Sequence, residues 1–415
     1  MKQQIQTNKI EWREVELGSV LEEKKFAVVD GPFGTQLHAS DYTGAGIPVI
    51  RIKNITKDNL FDEDDLVYIS DKKFKELERS AVFPNDIILA KTGATIGKVC
   101  ILPNRIKKAL IASSCAKISV NKDKISAEYV KLFLSTERGQ AQILSQSGGS
   151  TRSSINLNPI RKLEIPLPFR NGQPDLEEQQ RIVAILEQAE RLKEQGKRAS
   201  ALLDEYLKSV FYEMFGDPVK NNKGWNQDNL ENICDKITDG EHATPTLTTK
   251  GVPYISAKNV NEIIDFEDIK YVDEETYKKI TKRCLPEYGD ILITCVGTIG
   301  RVKRIDIKER FVFARSIALI KPNRLNISNI FLEKMLSLPS MKRYMIGNTN
   351  EATVKGLYLK QINRLEVIVP PLSLQQKFAS IVEHVEKMKE NVKKTQANSE
   401  ELFNSLMQKA FRGEL

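Results

Sequence analysis

The chain has 415 residues and 40% hydrophobic content, which allows two or more packed domains. No apolar run approaches the ~20 residues of a membrane span, and Met1–Gln6 lacks the apolar core of a secretory signal, so a cytoplasmic protein is expected. A formal charge of +8 favours a polyanionic partner only modestly.

After a tail over 1–11, Trp12-Arg13-Glu14-Val15 opens a strand-rich segment that reads as a domain over 12–168. Asp30-Gly31-Pro32-Phe33-Gly34-Thr35 is a turn, followed by a strand-like run from Gly46 that ends in Lys53-Asn54. Asp86 to Val99 reads as a strand, a glycine turn and a second strand, with Lys91-Thr92 at the end of the first. Ser113-Ser114 lead into the next apolar run, a short helix is expected over 126–139, and Thr151-Arg152-Ser153 precede Ile155. Pro168 and Pro174 punctuate the entry to a long helix over 174–217.

The order then repeats. Trp225 opens a second domain over 225–369, with Asp239-Gly240-Glu241-His242-Ala243-Thr244 as its turn and Lys258-Asn259 ending the run from Gly251. Asp290 to Val302, with Arg301 near its end, matches Asp86 to Val99. Arg315-Ser316 answers Ser113-Ser114, a helix is expected over 328–344, and Thr353-Val354-Lys355 answers Thr151-Arg152-Ser153. Pro370-Pro371 precedes a second long helix over 371–412. The fold class is α/β (α+β): two pseudo-symmetric strand-rich domains and two long helices.

In the first helix Ile182, Ile185, Ala189, Leu192, Gly196, Ala199, Leu203, Tyr206 and Val210 fall at alternating steps of three and four. Phe378, Ile381, Val385, Met388, Val392, Thr395, Ser399, Leu402 and Leu406 do the same in the second. This is the 3.5-residue period of a coiled coil. Left unpaired, the stripe would face water, so the helices are expected to pair with each other, and connectivity favours an antiparallel pair. Glu177 to Phe215 aligns without a gap on Ser373 to Phe411, twelve of 39 positions being identical, whereas the domains need gaps to align. A uniform scaffold that holds two different readers fits that contrast.

No catalytic motif survives inspection. Gly93-Ala94-Thr95-Ile96-Gly97-Lys98-Val99 has three residues between its glycines, where a phosphate loop needs four, and Val99 stands where that loop places Ser or Thr. There is no dinucleotide fingerprint, nucleophile elbow or methyltransferase Asn/Asp-Pro-Pro-aromatic motif. Cys100, Cys115, Cys234, Cys284 and Cys295 form no CxxC pair and read as buried reduced thiols; His38, His242 and His384 show no metal-ligand spacing. Neither metal nor cofactor is expected. The candidates for contact with double-stranded DNA are the polar residues of the repeated loops. They are Thr35, Lys53, Asn54, Lys91, Thr92, Ser113, Ser114, Thr151, Arg152 and Ser153 in the first half. The second half supplies His242, Thr244, Lys258, Asn259, Arg301, Arg315, Ser316, Thr353 and Lys355. Each also fits a solvated structural turn, which would recur in a repeat as well. An enzyme with its own catalytic domain finds no room in the repeat. A coiled-coil scaffold whose domains bind proteins rather than DNA is the remaining alternative.

The chain resembles the specificity subunit of type I restriction–modification systems over essentially its whole length. The resemblance is carried by Asn85–Val99 and Gly289–Val302, by the helix starts Gln179-Gln180-Arg181-Ile182 and Gln375-Gln376-Lys377-Phe378, by Met214-Phe215-Gly216-Asp217-Pro218, and by Leu406–Leu415. It implies two target-recognition domains, each reading one half of a bipartite asymmetric site. It also implies that the helices set the spacing and dock two adenine methyltransferase subunits, joined by restriction–translocase subunits. S-adenosylmethionine would be bound by the partner and not by this chain.

Overall fold

The computed structural model describes residues 9–34, 36–148, 154–241, 244–349 and 356–415. Two units divide the chain: Met1–Gln195 with Gln396–Leu415, and Gly196–Thr395. Each takes one strand-rich domain, one end of the first long helix and one end of the second.

In the first unit a four-stranded antiparallel sheet runs in the order Val28–Asp30, Cys115–Ile118, Ile87–Ala90, Val99–Ile101. Its central strand Ile87-Ile88-Leu89-Ala90 is buried on both faces. Because side chains alternate across a strand, Ile87 and Leu89 enter the core shared with the helices, while Ile88 and Ala90 enter a second core with Ile50 and Ile111. A five-stranded sheet, in which Ile47–Ile50 lies parallel to Ala109–Ile111, covers that second core. Glu11–Glu16 pairs antiparallel with Glu164–Arg170 beside the long helix.

The second unit repeats the plan. Its four-stranded sheet runs Cys234–Asp239, Ile317–Pro322, Ile291–Thr294, Val302–Arg304, and Val252–Ile255 lies parallel to Val312–Phe313. Ile291 and Ile293 face the helices, and Leu292 faces the other core. The short helices differ from expectation, because each predicted helix is two. Ala127–Ser135 is followed by Glu137–Ser145, and Asn329–Leu336 by Pro339–Gly347. Thr136 stops the first run and caps the next, its hydroxyl accepting from the Gly139 N–H at 3.0 Å. Pro339 does so by sitting at the first helical turn.

The long helices span Leu176–Phe215 and Leu372–Ala410. Within the first unit Arg181 donates to the Leu415 carbonyl at 3.1 Å and Lys193 pairs with Glu400 at 2.7 Å. Residue numbers rise on one helix as they fall on the other, so the segments are antiparallel. Within the second unit Asp204 pairs with Lys389, and Phe211 and Phe215 pack on Phe378 at 5.4 and 5.5 Å, again antiparallel.

The seam is shifted in phase from the sequence reading. Ile182, Ala189, Leu203, Phe378 and Val385 do turn inward, but their partners in the heptad are Leu186, Leu207 and Val382. Leu192, Tyr206, Met388 and Leu402, expected in the seam, are 47, 51, 43 and 50% exposed. Each helix must cover its own domain as well as its partner, which rotates the buried face by one position. Lys193 and Lys389 thereby fall on the half-buried line and take their ion pairs there.

The identical glutamines have a physical cause. Gln179 and Gln375 are fully buried, and each accepts from the backbone N–H of a helix-capping serine: Ser126 at 3.0 Å and Ser328 at 2.8 Å. Gln179 donates back to Lys124 O, and Gln375 to Pro370 O. The helix ends are matched too: Phe411 packs on Tyr129 and Phe133, and Phe215 on Phe331.

Candidate nucleic-acid interface

In each unit the repeated loops converge on one end of the four-stranded sheet, and the same five backbone hydrogen bonds tie them together. Gly31 N donates to Cys115 O, Ala112 N to Ile50 O, Cys115 N to Ala112 O, Lys91 N to Ser114 O and Ile155 N to Lys91 O. The counterparts are Gly240 to Ile317, Ala314 to Ile255, Ile317 to Ala314, Cys295 to Ser316 and Leu357 to Cys295, and all ten lie between 2.7 and 3.3 Å. Rigid backbone therefore holds five chain segments in a rim whose side chains are free to differ.

The two Asp-Gly turns press directly on the neighbouring turn. A β-carbon on Gly31 would lie 2.2 Å from the Ala112 carbonyl oxygen, and one on Gly240 2.2 Å from the Phe313 carbonyl oxygen. Only glycine permits that approach.

Among the expected contact residues, Ser113 and Arg315 occupy matching exposed positions of this rim, and Ser114 and Ser316 follow them half-buried. The Arg315 guanidinium has no partner among the described residues. Ser316 Oγ accepts from Ala257 N at 3.2 Å. Thr92 bridges to Ser154, and Thr244 is exposed. Arg301 reaches Asn261 Oδ1 at 2.5 Å. Lys53 and Lys258 stand on matching short turns and pair with Asp65 at 2.8 Å and Asp268 at 3.2 Å. Such exposed pairs hold weakly, so both lysines can leave for a stronger anion.

Three expected residues face inward instead. Asn54 and Asn259 are 0 and 3% exposed. Their side-chain oxygens accept from Arg51 N and Ser256 N, closing a short turn in each unit, and Asn54 also donates to Asp62 O and Asp64 O. They recur because the turn recurs. Lys91 is buried, its ammonium 3.1 Å from Asp30 Oδ2, and Cys295 occupies its place in the second unit. Thr35, Thr151, Arg152, Ser153, His242, Thr353 and Lys355 lie outside the described residues.

Two arginines were missed. Arg79 holds Asp30 Oδ1 at 3.3 Å, and Arg283 holds Asp239 Oδ1 at 3.3 Å while donating to the Gly240 carbonyl. Both follow a short helix, Asp71–Glu76 or Glu274–Thr281, and both stand seven residues before the aspartate that precedes the matched strand, Asp86 or Asp290. That recurrence is open in the sequence; its link to the Asp-Gly turn is made only by the fold.

Among the described residues the rim cysteines are not poised for covalent chemistry. Burial pushes the Cys115 and Cys295 thiols up to about 12, which keeps them protonated. Among the described residues no group of three His, Cys, Asp or Glu is placed to hold a metal.

A family model described as the type I restriction modification DNA specificity domain matches residues 9–201 and 222–400. The MjaIX specificity subunit of Methanocaldococcus jannaschii is 24% identical over 98% of this chain and 96% of its own length. The EcoBI specificity subunit of Escherichia coli is 26% identical over 89% of this chain and 80% of its own. Two solved structures share the fold. One, from work on complex assembly and conformational transition of the type I R-M system, has a TM-score of 0.61 at 17% identity and covers 97% of this chain and 98% of its own. The S subunit from M. genitalium has a TM-score of 0.56 at 16% identity and covers 98% and 97%. The family matches fall one on each repeat and take in most of the chain, which belongs to the DNA specificity subunits of type I restriction–modification systems, non-catalytic components that select sequence.

Proposed function

We propose that each unit reads one half of a bipartite, asymmetric double-stranded DNA site and that the chain directs methyltransferase and restriction subunits to it. One observation carries the reading: two rims are built on the same backbone hydrogen bonds but carry different side chains. Exposed Ser113 stands where the other has Arg315, and half-buried Thr92 where the other has Val296. One scaffold with two side-chain sets is what two unlike half-sites require, since base edges are told apart by side-chain donors and acceptors.

The methyltransferase subunits dock on the long helices. Leu192, Tyr206, Met388 and Leu402 leave apolar surface in water that the fold itself does not cover. In the second unit a groove of about 590 Å³ lined by Leu203, Tyr206, Ile381, His384 and Met388 supports this docking. The matching residues on the two helices support two copies. No helix of the described residues is long and apolar enough to cross a membrane, and we place the assembly in the cytoplasm with its DNA. The test is adenine-methylation mapping of DNA exposed to the assembled methyltransferase complex. It should show two unlike half-sites around a fixed unspecified spacer; a continuous or palindromic motif would refute the reading.

A further inference from the structure

We propose that Arg79 and Arg283 are matched phosphate contacts, one in each recognition domain, each aimed by the aspartate of its Asp-Gly turn. The inference rests on the DNA-reading role and adds two residues to it.

In both units the arginine is anchored on the aspartate of the turn, and in the second also on the Gly240 carbonyl. The aspartates are nearly buried, with side-chain exposures of 11 and 18%, while the arginines are 57 and 46% exposed. Each arginine is therefore anchored at its inner edge and open at its outer one. A guanidinium has five N–H donors, and the turn takes one or two of them, which leaves donors on the solvent side. Asp30 is also held by Lys91, so in the first unit two cations face one carboxylate and a positive charge is left over. The planar fork suits a phosphate better than the single point of a lysine would.

Their sameness argues for phosphate. Around them the accessible rims differ: Ser113 against Arg315, Thr92 against Val296. Two unlike half-sites share no base sequence, but both have the same sugar-phosphate backbone. What the two domains keep in common fits what the two half-sites have in common, and what differs fits the bases.

The test uses the full chain in its methyltransferase complex and a duplex that carries its mapped site. Binding is measured from low to high salt for the unaltered chain, R79Q and R283Q. Glutamine keeps a donor for the turn aspartate and removes the charge; thermal unfolding of each variant checks the fold. Each variant should weaken binding, lower the slope of log affinity against log salt by about one, and leave the methylated sequence unchanged. A methylphosphonate placed within the half-site should weaken the unaltered complex and leave the corresponding variant indifferent. An unchanged salt slope, with or without a lowered melting temperature, overturns the proposal and leaves the arginines as braces of the turn. An altered half-site sequence would also overturn it, in favour of base contact. Failure of the unaltered complex to bind DNA in a salt-dependent way would instead overturn the DNA-reading role itself.

Discussion

Gly31 and Gly240 show at the scale of one residue why parts of the rim must be alike. Alanine at either would bring its methyl against a carbonyl oxygen that backbone hydrogen bonds hold in place. Gly31→Ala and Gly240→Ala are each expected to cost ~1–3 kcal/mol through forced backbone shifts, read as a lower midpoint in denaturant unfolding. An unchanged midpoint would mean that the turns are not clamped. Arg315 is the opposite case, exposed and without a partner among the described residues. Arg315→Ala should leave unfolding alone and weaken DNA binding. If the guanidinium meets a base edge, the loss is ~1–3 kcal/mol with relaxed preference in one half-site only; equal affinity across a salt series would remove Arg315 from the interface. Recurrence in sequence could not separate these cases. Lys53 and Lys258 recur on the surface, whereas Asn54 and Asn259 recur because a buried turn needs their amides. Arg79 and Arg283 recur at one offset from Asp86 and Asp290, but their link to the turns was illegible, because it is made by tertiary folding across segments of unequal length.

At the scale of the element, the period of the long helices was legible and half of its phase was not. Apolar residues at steps of three and four fit two overlapping seams, Ile182-Ile185-Ala189 and Ile182-Leu186-Ala189, and composition alone does not choose. The choice is made by what each helix lies on: a domain core as well as another helix, so Leu186 goes in and Leu192 stays out. The glutamine pair at the helix starts was legible as an identity but not as a cap. Gln179→Met or Gln375→Met should strand buried backbone N–H and C=O groups and cost ~1–3 kcal/mol. Hydrogen exchange should quicken in the short helix that begins after Ser126 or Ser328. Global loss of stability with that helix still protected would contradict the capping role.

At the scale of the whole molecule, the duplicated order of strands, turns and helices was open to reading from the start, because each hydrophobic run, turn signal and helix start occurs twice. Two matched helix surfaces lead us to expect one specificity chain with two methyltransferase subunits in native mass spectrometry of the co-expressed complex. A dominant one-to-one species at saturating partner would oppose that expectation. The central claim is a division of labour: the domains determine which bases are read, and the helices determine how far apart. The most direct measurement is methylation mapping with four residues added to each long helix, in register across the antiparallel pair. Such an addition lengthens the helices by ~6 Å, against ~3.4 Å per base pair. The account predicts a spacer changed by roughly one or two base pairs, with both half-site sequences intact. An unchanged spacer, or altered half-site bases, would contradict it.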